Sequence, residues 1–238
     1  MSDLFYSISS EIFSLFPEYV RGVVLAYDVT NTASPPELIE MLRAAEVSVR
    51  DRLNLEELTA HPRIASWREA FRKAGIKPSE FRASIEAMAR RTLRQQELPS
   101  INALVDIGNI LSLQNLLPIG AHALDVLTSD ISLCKASGEE EFVPFGSEHA
   151  EHPDPGEIIF TEGHTVLTRR WSWRQGNHTL TLPTTTAVEI NVDGLPPVMK
   201  SEVEGVCQEL IELAQKFCGG QMRYEILSRQ NPKMAIKR

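Results

Sequence analysis

The chain has 238 residues, of which 42% are hydrophobic and 24% are charged, and its formal net charge at pH 7 is −8. No apolar run approaches the ~20 residues that a membrane-spanning helix needs, so we expect no membrane partner. The acidic balance argues against non-specific binding of DNA or other nucleic acid. The N-terminal residues lack a basic segment followed by an apolar one, which predicts no secretion signal and a cytoplasmic location.

The first half of the chain predicts one short strand followed by four helices. An apolar, β-branched run favours a strand at residues 20–27. Ser34-Pro-Pro-Glu37 is typical of a helix start, and apolar residues three or four apart carry this helix to about Leu53. Further helices are predicted over 62–74, after Pro78-Ser79, and from about Ser100 to Asn115.

From Ile131 onward the pattern changes to short strands separated by Gly, Pro and acidic turns. Strands are predicted over residues 131–136, 157–161, 165–173, 179–182 and 187–192. A last helix begins at the capping box Ser201-x-x-Glu204 and ends at Gly219, and residues 224–227 are expected to return as an edge strand. The sequence therefore predicts an α+β fold, with residues 1–60 as an N-terminal part of the same unit and 61–238 as the main domain.

The most informative stretch is a set of polar residues inside apolar sequence around the fourth helix. Asn102, Asp106 and Asn109 are spaced four and three apart, so on a helix they would form one stripe. Burying such groups without partners costs roughly 1–3 kcal/mol each, so they are expected to be hydrogen-bonded. They form either a structural network that holds the following loop or the floor of a small-molecule pocket.

His122 follows in a segment of small residues, just before Asp125. A histidine beside an acidic side chain can be held in one orientation and made more basic, which suits proton transfer. It equally suits a purely structural hydrogen bond, and the residues alone leave both roles open.

The segment Thr168-Arg-Arg-Trp-Ser-Trp-Arg-Gln175 combines cationic and aromatic side chains. On a strand, Trp171 and Trp173 would share one face, with Arg170 and Arg174 on the other. Arginines beside aromatic rings can stack on bases and bind phosphates, although the same pattern fits a strand with a tryptophan core face. Glu189 lies in an apolar run, where an ionised carboxylate needs a partner such as Arg170 or Arg174.

One region of this acidic chain is strongly basic. Residues 61–94 contain nine Lys or Arg residues and three Glu residues, which gives a local charge of +6. This region predicts either a phosphate-facing surface, with Arg90, Arg91 and Arg94 at its end, or a solvated helix face with ordinary ion pairs.

Known cofactor and nucleophile motifs are missing from the sequence. It contains no phosphate-binding P-loop, no dinucleotide fingerprint, no nucleophile elbow and no HExxH segment. The sequence therefore predicts no cofactor and no metal.

In order and spacing, several motifs resemble a known family. Asn102-x-x-Val-Asp-x-x-Asn109 and then Pro118-x-x-x-His-Ala-x-Asp125 resemble the B3/B4 domain of the bacterial phenylalanyl-tRNA synthetase β-subunit. In that family the segment runs Asn-x-Val-Val-Asp-x-Thr-Asn and then Gly-Gln-Pro-Leu-His-Ala-Phe-Asp. The resemblance extends over residues 60–195, and nothing in the chain resembles a synthetase catalytic domain.

The resemblance implies a B3/B4-like domain that recognises the 3′ end of an aminoacyl-tRNA and hydrolyses a mischarged ester. It implies that water attack is assisted by catalytic residues His122 and Glu157 or Glu189. The segment Thr184–Thr186 matches the family's Thr…Glu region. The substrate-binding residues predicted from the resemblance and from the patterns above are Asn102, Asp106, Asn109, Asp125, Arg170, Arg174, Thr184, Thr185 and Thr186. The local positive charge predicts that Arg90, Arg91 and Arg94 bind RNA.

Two other classes of function remain open at this point. The first is a non-catalytic module that binds RNA or a protein partner through the basic helical surface. The second is a small-molecule amidase or sensor on the same fold. A deacylation screen run beside filter binding of RNA separates the three.

Overall fold

The computed structural model describes residues 4–236, which form two β-sheets with helices packed around them. The strands are β1 (Leu4–Ile8), β2 (Val20–Tyr27), β3 (Ile119–Ala123), β4 (Ile131–Lys135), β5 (Ile158–Glu162), β6 (Thr165–Arg169), β7 (Arg174–Gln175), β8 (Ala187–Gly194), β9 (Gln221–Leu227) and β10 (Lys233–Ile236). The helices are α1 (Ser10–Leu15), α2 (Pro36–Arg52), α3 (Pro62–Lys73), α4 (Ser84–Leu93), α5 (Ala103–Asn115) and α6 (Lys200–Cys218), with a 3₁₀ turn at Leu58–Ala60.

One sheet has six strands in the order β10-β1-β4-β5-β6-β7, and the other has four in the order β3-β8-β2-β9. All named strand pairs are antiparallel except β1–β4. The helices and the mainly antiparallel sheets confirm the predicted α+β class.

The four-stranded sheet has two chemically different faces. On β2, Gly22, Val24 and Ala26 face α6, and α6 comes so close that a Cβ on Gly22 would lie 2.3 Å from Cys207 Sγ. Glycine is therefore required there by the approach of a helix to the sheet. The opposite face, which carries Arg21, packs against Phe160 of the six-stranded sheet. A polar layer thus lies between the two sheets.

The predicted helices are found, with shifted starts. The helix predicted from Ser34 begins at Pro36, because Ser34 Oγ instead donates to Asp106 at 2.6 Å. The last helix begins at Lys200, and Glu202 accepts a hydrogen bond from the Met199 backbone N–H. The capping box predicted at Ser201 is therefore wrong by two residues.

The strand predictions are right where apolar alternation is strong and wrong in the tryptophan segment. The strand at 20–27 and the edge strand containing 224–227 are confirmed. The strand predicted over 165–173 ends at Arg169, because Arg170 and Trp171 adopt left-handed backbone conformations. No strand forms over 179–182, where the chain is a loop, whereas β1, β3, β7 and β10 were not predicted.

The main hydrophobic core draws on both ends of the described chain, from Tyr6 to Ile236. A second, small cluster around Phe142 lies under the acidic loop that follows β4. The division at residue 60 remains a prediction. Within residues 4–236, no helix is both long enough and apolar enough to cross a membrane.

Candidate functional site

The polar layer between the sheets begins with the alternation of β8. Glu189, Asn191 and Asp193 lie on the face toward the six-stranded sheet, and the alternate residues Val188 and Ile190 lie on the helix side. All three polar side chains are buried, with Asp193 and Glu189 at 0% exposure. A row of buried polar groups on one strand therefore forms the floor of the candidate site.

Arg21 organises one end of this layer. Its guanidinium donates to both carboxylate oxygens of Asp193, at 2.6 and 2.9 Å, and to the hydroxyls of Tyr6 and Tyr19 at 2.8 Å. Tyr19 also donates to Asp193 at 2.6 Å. Burial raises the pKa of Tyr6 and of Tyr19 well above the usual value for tyrosine, so both phenols are neutral. Arg21 and Asp193 therefore form a bidentate ion pair, in which each charge compensates the other for the loss of water on burial.

His122 lies on β3 directly opposite Glu189 of β8 and is 2% exposed. Its Nδ1 lies 2.6 Å from Thr179 Oγ1, and its Nε2 lies 3.2 Å from Thr168 Oγ1. Burial, with a smaller effect of Arg21, lowers its pKa to about 3. The ring is therefore neutral at physiological pH, and it acts there as a hydrogen-bonding group because so weak a base takes few protons.

Glu189 is the least satisfied polar group in the layer. Both of its carboxyl oxygens are buried with no hydrogen-bond partner among the described residues. Burial raises its pKa to about 8, although Arg21 acts in the opposite direction. The expected pairing with Arg170 or Arg174 is wrong, because those side chains contact acidic residues of the loop at 151–157. Glu189 is protonated at neutral pH, which avoids the cost of an unpaired buried charge.

A cavity of about 220 Å³ opens above this floor, and we call it the polar chamber. The side chains that give it its chemistry are Arg21, His122, Thr168, Gln175, Asn191 and Asp193. Gly120 of β3 also lines it, and a Cβ at that position would lie 3.0 Å from Asn191 Oδ1. The glycine therefore leaves room for the Asn191 amide beside the chamber.

A second and larger cavity of about 720 Å³ adjoins the first, and we call it the apolar groove. Five residues line both cavities, namely Ile119, Gly120, Trp173, Arg174 and Gln175. The other walls of the groove come from α5 and the two residues before it, from the loop at 180–183, and from Ala121, Phe145 and Ile190. The two cavities together make a cleft with a buried polar end and a wide, mostly apolar end.

The predicted stripe of Asn102, Asp106 and Asn109 does not exist as one surface. Asn102 is the N-cap of α5 rather than part of the helix, and its amide bonds Val105 N and Thr181 O. Asp106 is fully buried and accepts from Ser34, Ser100 and the Ile101 backbone. Only Asn102 and Asn109 line the groove. The side chain of Asp106 is a structural tie because the helix turns it away from the cleft.

Glu157 and Arg170 lie outside the chamber lining. Glu157 is held by Arg169 through two hydrogen bonds of 2.9 and 2.7 Å. The guanidinium carbon of Arg170 lies 3.7 Å from the centroid of the Phe81 ring. Arg174 differs, since its side chain is 42% exposed and lines both cavities. The structure therefore brings Arg174 to the cavity that His122 lines and leaves Glu157 and Arg170 apart from it.

Asp125 and the segment Thr184–Thr186 are joined by hydrogen bonds at the protein surface. Asp125 accepts from the Thr186 hydroxyl at 2.8 Å and from the Thr186 and Ala187 backbone. Thr185 accepts from Leu182 N, and Thr184 is exposed. None of these side chains lines the chamber or the groove. They fix the loop that leads into β8.

The basic run is partly neutralised in the structure. Glu86, which is 1% exposed, receives hydrogen bonds from Arg68 at 2.8 Å and Arg90 at 2.9 Å. Arg91 donates to the Glu97 backbone, and both Arg91 and Arg94 are exposed. Helix α4, which carries Arg90 and Arg91 and has Arg94 as its C-cap, begins at Ser84, a residue that lines the chamber.

Several residues of the site were not predicted, among them Arg21, Thr168, Thr179, Gln175 and Asn191. The Glu-x-Asn-x-Asp alternation of β8 was a usable signal, because period-two polarity inside an apolar strand predicts one polar face. Thr168 and Thr179 offered no such signal, since only the tertiary fold places their hydroxyls at His122. Among residues 4–236, no group of three or more His, Cys, Asp or Glu side chains is placed to hold a metal ion.

The family model of the B3/4 domain matches residues 66–219, and the chain belongs to this family. The membership confirms the family resemblance found in the sequence. Among solved structures, the chain is similar to an N-terminal fragment of the phenylalanyl-tRNA synthetase β-subunit from Pyrococcus horikoshii, with 12% identity and a TM-score of 0.46. That match covers 93% of this chain and 51% of the other, so the chain spans about half the length of that structure. A search of curated proteins finds no match.

Proposed function

We propose that this chain binds the 3′ end of an aminoacyl-tRNA in the cleft and hydrolyses the ester that joins the amino acid to the terminal ribose. The observation that carries the proposal is the junction of the polar chamber with the apolar groove at Gln175 and Arg174. An aminoacyl ester has a small polar head and a large nucleoside tail, and the two parts of the cleft differ in the same way. Membership of the B3/4 family supports this choice of ligand.

In the proposed reaction, a water molecule attacks the ester carbonyl carbon and the bond from that carbon to the ribose oxygen breaks. The products are a free amino acid and a tRNA with its terminal hydroxyl restored. The developing oxyanion needs preorganised donors, and the chamber is lined by the Asn191 amide, the Arg174 guanidinium and the Gln175 amide. The Gln175 Nε2 is held in place by a hydrogen bond to Ala121 O at 2.8 Å, so one of its two N–H groups is already used. Asn191 is buried, so its amide acts with little competition from solvent, whereas Arg174 is 42% exposed.

His122 has a positioning role in this proposal. Its pKa of about 3 makes it a poor general base near pH 7, and both of its ring nitrogens are bonded to threonine hydroxyls. It therefore orients the Thr168 hydroxyl, which lines the chamber and can contact water or the ribose. The two threonine hydroxyls at Thr168 and Thr179 hold the ring in place. The catalytic roles first considered for Glu157 and Glu189 are not carried forward, because the first is bound to Arg169 and the second is buried and protonated.

Binding of the RNA backbone is assigned to the exposed end of α4. Arg91 and Arg94 are exposed, whereas Arg90 is engaged with Glu86. At 1.5 Å per residue, these arginines lie roughly 10–15 Å along the helix from Ser84 at the chamber. That separation lets one ligand reach both places.

The test combines deacylation with RNA binding. A panel of aminoacylated tRNAs is incubated with the protein, and release of each amino acid is followed at substoichiometric enzyme. We expect turnover of one or a few esters, and a Gln175→Ala variant that slows it by about 100-fold, the scale for loss of an oxyanion donor.

Salt dependence tests the assignment of the RNA backbone to α4. In Arg91→Ala/Arg94→Ala, the slope of log affinity against log salt should fall by about 0.7 to 0.9 for each phosphate that the protein no longer neutralises. Arg229→Ala/Lys200→Ala removes two exposed cations elsewhere and serves as the matched control. Equal slopes in both double variants would assign the α4 arginines to ordinary solvated surface.

Binding without hydrolysis is the second candidate. It is favoured by the state of the nearby acid–base groups, since His122 and Glu189 are uncharged at pH 7 and Asp193 is paired with Arg21, so none of these three acts as a general base. Retained tRNA binding with no release of any amino acid across the panel supports this candidate over the hydrolase.

A further inference from the structure

The apolar groove gathers exposed hydrophobic side chains that the fold itself does not use. Ile101, Phe145 and Leu182 are 57%, 67% and 50% exposed, and all three line the groove. They come from three separate segments, namely the approach to α5, a turn in the acidic loop and the loop before β8. Single exposed apolar residues are ordinary, but convergence of three on one concavity is typical of a binding surface.

The groove also presents polar groups that have no partner in the protein. Thr181 is 7% exposed, and its Oγ1 has no hydrogen-bond partner among the described residues. The Asn109 side chain is half-buried on α5 and makes no hydrogen bond to any residue in the range 4–236. By contrast, the Asn102 amide is fully engaged with Val105 and Thr181 backbone atoms. An apolar concavity with a few unpartnered polar groups is the usual form of a small-ligand site.

An aromatic ring borders the groove where it meets the polar chamber. Trp173 lines both cavities, and its position is fixed by an edge contact with Phe81, with ring centroids 4.8 Å apart. Aromatic side chains beside arginines form stacking platforms for single-stranded nucleic acid, and Arg174 extends from the same strand end.

We propose that the groove holds the adenine ring of the terminal nucleotide, stacked against Trp173 and Phe145, while Asn109 reads the edge of the base. A planar amide can pair with adenine in a bidentate manner, donating to N7 and accepting from the N6 amino group. This assignment rests on the proposed function and adds to it a nucleobase site. It places the acyl group in the polar chamber.

Size and access favour this orientation over the reverse. The groove, at about 720 Å³, lies within the range of roughly 300–1,000 Å³ typical of sites for drug-sized ligands, whereas the chamber, at about 220 Å³, lies below it. The RNA chain must also leave the site toward solvent. The exposed groove residues Ile101, Phe145, Leu182 and Pro183 provide that route, whereas Arg174 is the one exposed residue among the described residues that line the chamber.

The test uses two short 5′-labelled oligoribonucleotides that are identical except for a 3′-terminal A or C, with binding measured by fluorescence anisotropy. We expect the unmodified protein to prefer the A-ending probe. Asn109→Leu should reduce that preference by about 10-fold, the scale of one bidentate base contact. Phe145→Ser should weaken binding of the A-ending probe by about 10-fold, in line with removal of one stacking ring. Val126→Ser, an exposed apolar residue outside the groove, is the matched control and should change neither.

Equal affinity for the two probes, together with unchanged binding in Phe145→Ser, would overturn the adenine site even in a protein that hydrolyses aminoacyl-tRNA. If the groove variants instead change which amino acid is released and leave the A-over-C preference intact, the groove holds the amino-acid side chain and the assignment is wrong. A third outcome is that the protein has no deacylase activity but prefers the A-ending probe, and that Asn109→Leu removes this preference. That outcome supports the adenine site and contradicts only the proposed hydrolysis.

Discussion

Replacing Glu189 by glutamine tests the electrostatics of the polar layer most sharply. The carboxyl is fully buried on β8, neither oxygen has a partner among the described residues, and its pKa is about 8 against a usual 4.5. Glutamine keeps the size and planarity of the protonated acid but cannot ionise. The substitution therefore removes a titration and leaves the packing nearly unchanged.

The sign of the effect follows from proton binding. Between pH 4.5 and 8, the unfolded chain releases the Glu189 proton while the folded chain keeps it, so the free energy of unfolding falls as pH rises. The difference between the two pKa values corresponds to roughly 5 kcal/mol once both states are ionised. Between pH 5 and pH 8, the expected loss of stability is about 3 kcal/mol.

The assay is urea unfolding of the natural protein and of Glu189→Gln at pH 5, 6.5 and 8. The free energy of unfolding of the variant, relative to the natural protein, should rise by about 3 kcal/mol from pH 5 to pH 8. Glu139→Gln removes one exposed carboxylate and provides the control for a simple change in net charge. Parallel pH profiles for the natural protein and Glu189→Gln would refute the buried, protonated carboxyl.

Three further predictions concern other parts of the fold. Gly22→Ala should lower the free energy of unfolding by about 1–3 kcal/mol in thermal or urea unfolding, because the alanine Cβ would collide with Cys207 Sγ. An unchanged melting temperature would contradict the close approach of α6 to the sheet. Glu157→Gln should cost about 1–3 kcal/mol by the same measurement, since it leaves the buried Arg169 with only the half-exposed Glu151 carboxylate, 3.0 Å away. An unchanged free energy of unfolding would show that the Arg169–Glu157 pair adds no stability. His122→Asn should make the free energy of unfolding less sensitive to acid. The pKa of His122 in the folded protein is about 3, below the usual 6.5, so the stability that the neutral ring contributes is lost as pH falls from 6.5 toward 3, by about 3 kcal/mol between pH 7 and pH 4. Equal acid-unfolding profiles for the two proteins would argue against a neutral buried ring.

The parts of the fold that sequence predicts well are those in which one periodicity dominates. The run at 20–27 is apolar and β-branched over most of its length, and β2 has those bounds. Helix starts were less accurate because tertiary partners compete for the capping side chains. Ser34, for example, has the chemistry of an N-cap, yet its hydroxyl is used by Asp106, 72 residues away.

In the candidate site too, local motifs were predictable from the sequence, whereas contacts made by the tertiary fold were not. The motif around His122 identified the family and a residue that lies in the cleft. Helical spacing alone could not tell that Asp106 turns away from the cleft, because its partners Ser34 and Ser100 are placed by the fold. The tryptophan segment was misassigned as a strand, since its left-handed backbone at two non-glycine residues is a tertiary effect that local propensity does not predict.

Hydrolysis in the polar chamber is tested by the release of amino acid from aminoacyl-tRNA. The complete panel of charged tRNAs is assayed with the natural protein and with Gln175→Ala, whose folding is verified by its thermal transition. We expect catalytic release of at least one amino acid by the natural protein and about 100-fold slower release by the variant. Equal release by the two proteins, or binding of charged tRNA with no release from any member of the panel, would contradict a hydrolytic site in the polar chamber.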